Sequence, residues 1–238
     1  MAESKYKRVL LKLSGESFCS PGGFGIEGEV LESIAERIFQ LCTLGPEVAI
    51  VVGAGNFIRG ETFSQKSRIP RNTADYMGML STIINACALQ ETLEKLGQPT
   101  RVLSAIEVNA LCEPFIRRKA LWHLENGRVA ILAGGTGNPF FTTDTCAALR
   151  AAELDADLLI KATKVDGVYS DDPKTNPDAE FFDKLSYEDV LKKSLRIMDQ
   201  AAISLCRENN IPVIVLNIFE TGNITDALCG RKVGTLIS

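Results

Sequence analysis

The chain has 238 residues, 45% hydrophobic and 24% charged, with a net charge of −4. That length builds a sizeable core without disulfides or structural metals, and the acidic balance argues against a general nucleic-acid-binding surface while leaving room for a local basic site. Seven scattered cysteines and the single His123 offer no zinc ligand set of familiar spacing, so no metal site is expected from protein side chains.

Cysteines at 19, 42, 87, 112, 146, 206 and 229 lie mostly in apolar stretches and read as free thiols in a reducing compartment. The first residues, Met1 to Lys5, form no apolar signal core, and every later apolar run is too short to span a bilayer. A cytoplasmic protein without a membrane partner is expected.

Short β-branched or Leu-rich runs alternate with segments of helical period. Val9–Leu13 reads as a first strand, followed by an amphipathic helix through Val30, Leu31, Ile34, Ala35, Ile38, Leu41 and Cys42 that Gly45-Pro46 stops. Val48–Val52 is almost wholly apolar, as a strand covered on both faces should be. A long helix is predicted from about Asp75 to Lys95, ended by Gly97. Then come a strand at 101–103, a helix at 115–124, a strand at 128–133, a helix at 144–154 and a strand at 158–160. Lys164 to Glu180 is rich in turn pairs and reads as a functional loop. Helices at 187–193 and 199–209 and strands at 212–216 and 235–237 complete the chain. The alternation predicts one α/β domain, a three-layer sandwich with a mostly parallel central sheet, and ligands beyond the C-terminal strand ends.

Three glycine-bearing loops follow predicted strands: Lys12 to Ser17, Gly53 to Gly60 and Gly134 to Asp144. Glycine lets backbone N–H groups converge on an anion, and a helix N-terminus adds its positive end. The common nucleotide fingerprints are absent. There is no G-x-x-x-x-G-K-[ST], and G-x-G-x-x-G fails at Ile58 and at Phe140. A phosphate site here follows another plan. Lys12 ends an apolar strand, where a charge is costly unless partnered. Arg59 carries the planar fork that suits phosphate, and Asp199 opens a helix as an N-cap residue would.

Read together, these segments resemble the amino acid kinase superfamily and, within it, the bacterial uridylate kinases. The resemblance rests on Lys12-Leu13-Ser14-Gly15, on Gly53-Ala54-Gly55-Asn56 with Arg59-Gly60, and on Asp75-Tyr76-Met77-Gly78-Met79. It continues through Thr136–Thr143, Lys161–Tyr169, Asp172-Pro173 and Met198-Asp199, covering residues 8 to 237 in order. It implies an amino acid kinase-like fold and direct transfer of the γ-phosphoryl group of ATP to UMP, with Mg²⁺ held mainly through phosphate oxygens. Such a transfer needs alignment and charge neutralisation rather than a covalent nucleophile.

The resemblance assigns catalysis to Lys12, Arg59 and Asp199, with Asp199 orienting and charge-balancing Lys12. It gives the acceptor nucleotide Ala54, Asp75 (on the ribose hydroxyls) and the run Thr136, Gly137, Asn138, Pro139, Phe140, Phe141, Thr142, Thr143. ATP receives Lys12, Leu13, Ser14, Gly15, Gly55 and Arg59 on one side and Thr163, Tyr169 and Asp172 on the other. The UMP side would come mainly from the N-terminal part and the ATP side from the C-terminal part. The chain departs from the family at Ala54, where a third glycine is usual; the methyl fits if the residue keeps a negative φ. Ser20, Pro21, Gly22, Gly23, Phe24 and Gly25 fall where some relatives bind GTP as activator. UTP inhibition and a homo-hexamer are further family traits. Two alternatives stand beside this reading: another superfamily phosphotransferase acting on a small acid or an isoprenoid phosphate, and a non-catalytic nucleotide or oxyanion binder. His123, Phe181 and Phe182 are expected to be structural.

Overall fold

A computed structural model describes residues 3–171, 173, 175–176, 178–193, 195 and 197–238. The strands are β1 (Arg8–Leu13), β2 (Glu47–Val52), β3 (Thr100–Ser104), β4 (Glu113–Pro114), β5 (Val129–Ala133), β6 (Leu158–Thr163), β7 (Val168–Tyr169), β8 (Phe181–Phe182), β9 (Lys184–Leu185), β10 (Val213–Asn217) and β11 (Thr235–Ile237). The helices are α1 (Gly28–Cys42), α2 (Gly60–Lys66), α3 (Arg71–Lys95), α4 (Arg117–Glu125), α5 (Thr143–Glu153), α6 (Tyr187–Lys192), α7 (Gln200–Glu208) and α8 (Asn223–Leu228).

Among the described residues nine strands form one sheet in the order β4-β3-β5-β2-β1-β6-β10-β11-β9. The pairings are parallel except β10 with β11. The central strands are apolar on both faces because both faces are covered. Val9, Leu11 and Leu13 of β1 pack with α1, α3 and α8. Leu10 faces the other way, into the layer that holds α4, α5 and α7. The result is a three-layer α/β sandwich. The α5 side is lined by Ala49, Ala130, Ala147, Ala148 and Ala151, small residues that let this helix lie close over β1 and β2.

Chain order places β2 on one side of β1 and β6 on the other, so the loops after these strands open into one crevice at the parallel C-terminal edge. The loops after β1, β2 and β5 are the three glycine loops. The long helix begins at Arg71, one turn before the expected Asp75, because Pro70 with its φ of −59° leads into the first turn. Two short helices, α2 and α8, were not legible as periodic patterns. The turn-rich segment is closed at its base by the β7–β8 pair, with Val168 opposite Phe182 and Tyr169 opposite Phe181. His123 is buried between Glu113 and Arg128, and Tyr169 and Phe181 pack edge to face. Among the described residues no helix is long and apolar enough to cross a membrane.

Candidate active site

Strand parity builds the centre of the site. In β1, Leu10 points to the α5 side, so Lys12, two residues on, shares that face. In β6, Leu159 does the same for Lys161, and Lys12 and Lys161 are registered neighbours. Above them starts α5, capped by Thr142, whose hydroxyl accepts the N–H groups of Asp144 and Thr145. The cap turns Asp144 down onto the two lysines. Lys12 Nζ pairs with Asp144 Oδ1 at 2.7 Å, and Lys161 Nζ donates to Oδ2 at 2.6 Å. Lys161 also donates to the carbonyl of Ile197.

All three side chains are largely withdrawn from water, with 8%, 15% and 14% of Lys12, Asp144 and Lys161 exposed. Burial by itself would raise the Asp144 carboxyl, but the ammoniums of Lys12 and Lys161 outweigh it and hold the group below the ordinary carboxylate range. Lys161 is pushed down by burial, and by Lys12, against the pull of Asp144. We take the charged carboxylate as the fixed point of this cluster: two cations flank it, and its ionisation is the state both contacts require. Two cations face one bridging anion, with the charge of Asp199 acting on Lys161 from behind, and the ammoniums suit a phosphoryl group carrying negative oxygens.

Among the described residues the carboxylate paired with Lys12 is that of Asp144, while the charge of Asp199 acts on the neighbouring Lys161. The Asp199 carboxylate caps α7, accepting from Ala202 N at 2.9 Å, and also accepts the hydroxyls of Thr142 and Thr145. It therefore ties the N-termini of α5 and α7 together, one step behind Asp144. Sequence reasoning missed Asp144 and Lys161, although Lys161 carried the same signal as Lys12: a cation inside an apolar strand.

Two clefts meet at this cluster. The first, of about 370 Å³, is lined by Lys12, Ser14, Gly15, Ala54, Gly55, Arg59, Asp75, Thr136, Phe141, Thr142 and Thr143, together with Arg71, Gly78 and Met79 of α3. The second, of about 870 Å³, is lined by Lys161, Thr163, Tyr169 and the start of the turn-rich loop. Leu13 is buried in the core below the first cleft. Asp172 lies outside the described residues.

The first loop stacks directly on the second. A Cβ at Gly15 would meet Gly55 N at 2.2 Å, so only glycine allows this approach. Ala54 is not among the residues of positive φ, and its methyl is therefore tolerated. Arg59 pairs with Glu16 in an exposed contact, of a kind worth about 0–1 kcal/mol, which an incoming anion can displace. Asp75 is more committed: Arg71 Nε donates to both its oxygens at 2.8 and 2.9 Å, and the N–H of Phe140 donates to Oδ2 at 2.8 Å. Phe140 adopts φ 72° to make that contact. Thr136 and Asn138 bond each other within the turn, Gly137 stands at φ 80°, and Pro139 follows. Thr163 spends its hydroxyl on Val165 and Leu216 carbonyls. Residues Ser20 to Phe24 are exposed and stand apart from both clefts, while Gly25 is buried against Asn56.

The amino acid kinase family model matches residues 7–217, nearly the whole of this framework. The chain belongs to the amino acid kinase family. It is 54% identical over 233 residues to the chloroplastic uridylate kinase PUMPKIN of Arabidopsis thaliana, covering 98% of this chain and 69% of that protein. Among solved structures it resembles the UMP kinase of Bacillus anthracis, with TM-score 0.94 and 42% identity over 98% of this chain and 96% of that one. It also resembles the UMP kinase of Ureaplasma parvum, with TM-score 0.91 and 37% identity over the full length of both chains. Both clefts and the lysine–carboxylate cluster lie within the matched residues.

Proposed function

We propose that this chain is a UMP kinase, transferring the γ-phosphoryl group of ATP to UMP to give UDP and ADP in pyrimidine nucleotide synthesis. The observation that carries the reading is the Lys12–Asp144–Lys161 bridge at the junction of two clefts. The choice of UMP as acceptor leans on the relatives named uridylate or UMP kinases.

In this reading one domain serves both substrates. UMP occupies the first cleft, with the 136–143 turn around it and Asp75 accepting its ribose hydroxyls. ATP lies in the second cleft along Thr163 and Tyr169 and, on the family pattern, Asp172. Lys12 and Lys161 quiet the charge on the migrating phosphoryl group, while the stacked amides of Gly15, Ala54 and Gly55 and the fork of Arg59 hold oxygens on the near side. Asp144 keeps both ammoniums aimed, and Asp199 keeps α5 in place. No described cluster of three His, Cys, Asp or Glu side chains gathers as a metal cage, so Mg²⁺ would be held by phosphate oxygens and water. Bound there, it would neutralise charge on the β- and γ-phosphates.

GTP activation through residues 20–25, UTP inhibition and assembly into a homo-hexamer belong to the same proposal. Tyr76, Leu80 and Ile84, spaced four apart on α3 and exposed, form an apolar stripe suited to a second copy. A cytoplasmic location rests on the free thiols alone.

The test is ADP release with ATP and Mg²⁺ across UMP, CMP, carbamate and a glutamate derivative. UMP is expected to give the highest kcat/KM; turnover confined to another acceptor would overturn the assignment.

A further inference from the structure

Helix α3 buries two polar residues where an ordinary amphipathic helix would place apolar ones. Asn85 and Asn56 are 0% and 2% exposed and form a reciprocal amide pair: Asn85 Nδ2 donates to Asn56 Oδ1 at 2.8 Å, and Asn56 Nδ2 donates to Asn85 Oδ1 at 2.9 Å. The remaining amide hydrogens go to the backbone, from Asn85 to Gly53 O at 2.8 Å and from Asn56 to Gly25 O at 2.7 Å. One turn earlier, Thr82 is 1% exposed and accepts the N–H of Gly134 at 2.8 Å while donating to Met79 O at 2.6 Å.

Burying two amides and a hydroxyl stabilises little, because their hydrogen bonds replace equivalent ones to water. What such a fully paired network does supply is a single allowed geometry. Its backbone partners are not arbitrary. Gly53 is the first residue past β2 and Gly134 the first past β5, so each contact pins the root of a glycine loop. The same helix presents Asp75, Gly78 and Met79 to the cleft between those loops, with the almost fully buried Thr82 at its floor. Helix α3 therefore acts as a ruler against which both loops are set.

We infer that Asn85 and Thr82 are positioning residues for the transfer: Asn85, through Gly53 O and Asn56, sets the Ala54 and Gly55 amides, and Thr82 sets the 134–143 turn. The inference rests on the kinase reading above. It assigns the two residues different consequences. Misplacing the Ala54 and Gly55 amides acts where the phosphoryl group moves and so lowers kcat, since small misplacements cost rate steeply. Loosening the 134–143 turn weakens the hold on the acceptor and so raises KM for UMP.

The experiment compares wild type with Asn85→Leu, Asn85→Asp and Thr82→Val, measuring kcat, KM for each nucleotide and Tm. Asn85→Leu is expected to lose kcat by about tenfold or more with KM for UMP within about threefold, and Thr82→Val to show the reverse split; tenfold corresponds to about 1.4 kcal/mol. Asn85→Asp serves even if the leucine variant fails to fold. Its carboxylate cannot donate to Gly53 O, whereas its protonated form can. The ratio of variant to wild-type kcat should therefore climb as pH falls from 8 to 6, burial having raised that carboxyl. Lowered Tm with wild-type kcat and KM, or a ratio that stays flat with pH, overturns the inference alone. A wild type without UMP-dependent turnover overturns the kinase reading and this inference with it.

Discussion

Lys12 and Lys161 stand opposite each other in register on adjacent parallel strands and direct both ammoniums to one carboxylate, that of Asp144. Two like charges at neighbouring positions of a buried sheet would repel at considerable cost; the shared anion offsets this. The arrangement also lets each lysine serve a different cleft while their spacing stays fixed.

Removing the anion should therefore be costly in a pH-dependent way. Asp144→Asn leaves two buried cations without the carboxylate that bridges them, Lys161 keeping only the Ile197 carbonyl and the more distant charge of Asp199, and is expected to lower stability by about 3 kcal/mol at pH 7. The sign follows from the carboxyl being held below its ordinary value: its contribution is present above about pH 4 and is lost as pH falls through the folded-state value. Urea denaturation should show a gap between wild type and variant that is constant from about pH 7 to 5 and closes below about 4. A gap that widens on acidification would contradict the charge assignment.

The bend at Phe140 offers a test that leaves the lysines untouched. Its φ of 72° costs a non-glycine residue about 1–2 kcal/mol. The ring is 67% exposed, and its contact with Arg71, 5.9 Å away, returns about 0.5 kcal/mol. Phe140→Gly should match wild type or exceed it by up to about 1 kcal/mol, whereas the β-branched Phe140→Val should lose about 1 kcal/mol or more. Thermal denaturation of the two variants decides; a stable valine variant would mean the turn is not imposed on the residue.

Burial makes several thiols inert. It pushes Cys146 up to about 11 and Cys42 and Cys206 up to about 12, which leaves on the order of one thiolate in ten thousand or fewer at pH 7. Iodoacetamide at pH 7.5 should leave these three unmodified in the native protein and label them in urea, as read by peptide mass spectrometry. Native labelling of Cys206 at the rate of a free thiol would show that the α7 layer opens readily.

Much of this was legible in the residues. Alternating apolar runs predicted the layers and the parallel sheet, and Lys12 stood out because an apolar strand should not end on a lone cation. The partner of Lys12 was not legible. Asp144 and Asp199 both open helices near the same edge, and only the landing point of the first turn of α5 decides between them. Strand parity puts Lys12 and Lys161 on one face, but which helix covers that face is set by packing on the alanines of β2, β5 and α5. The Asn56–Asn85 pair was hidden for a related reason: a polar residue in a helix reads as solvent-facing until its neighbours are known. Helix α3 inverts the rule, burying Thr82 and Asn85 while exposing Leu80 and Ile84.

In the proposed transfer the Lys12 ammonium works on the moving phosphoryl group rather than on the resting substrates. Rapid-quench single turnover of Lys12→Ala, with saturating ATP, Mg²⁺ and UMP, measures this most directly when set beside the variant's Kd for UMP. The account predicts transfer slowed by about a hundredfold or more with Kd changed by less than about threefold. Wild-type transfer, or a loss in transfer matched by an equal loss in UMP binding, would contradict it.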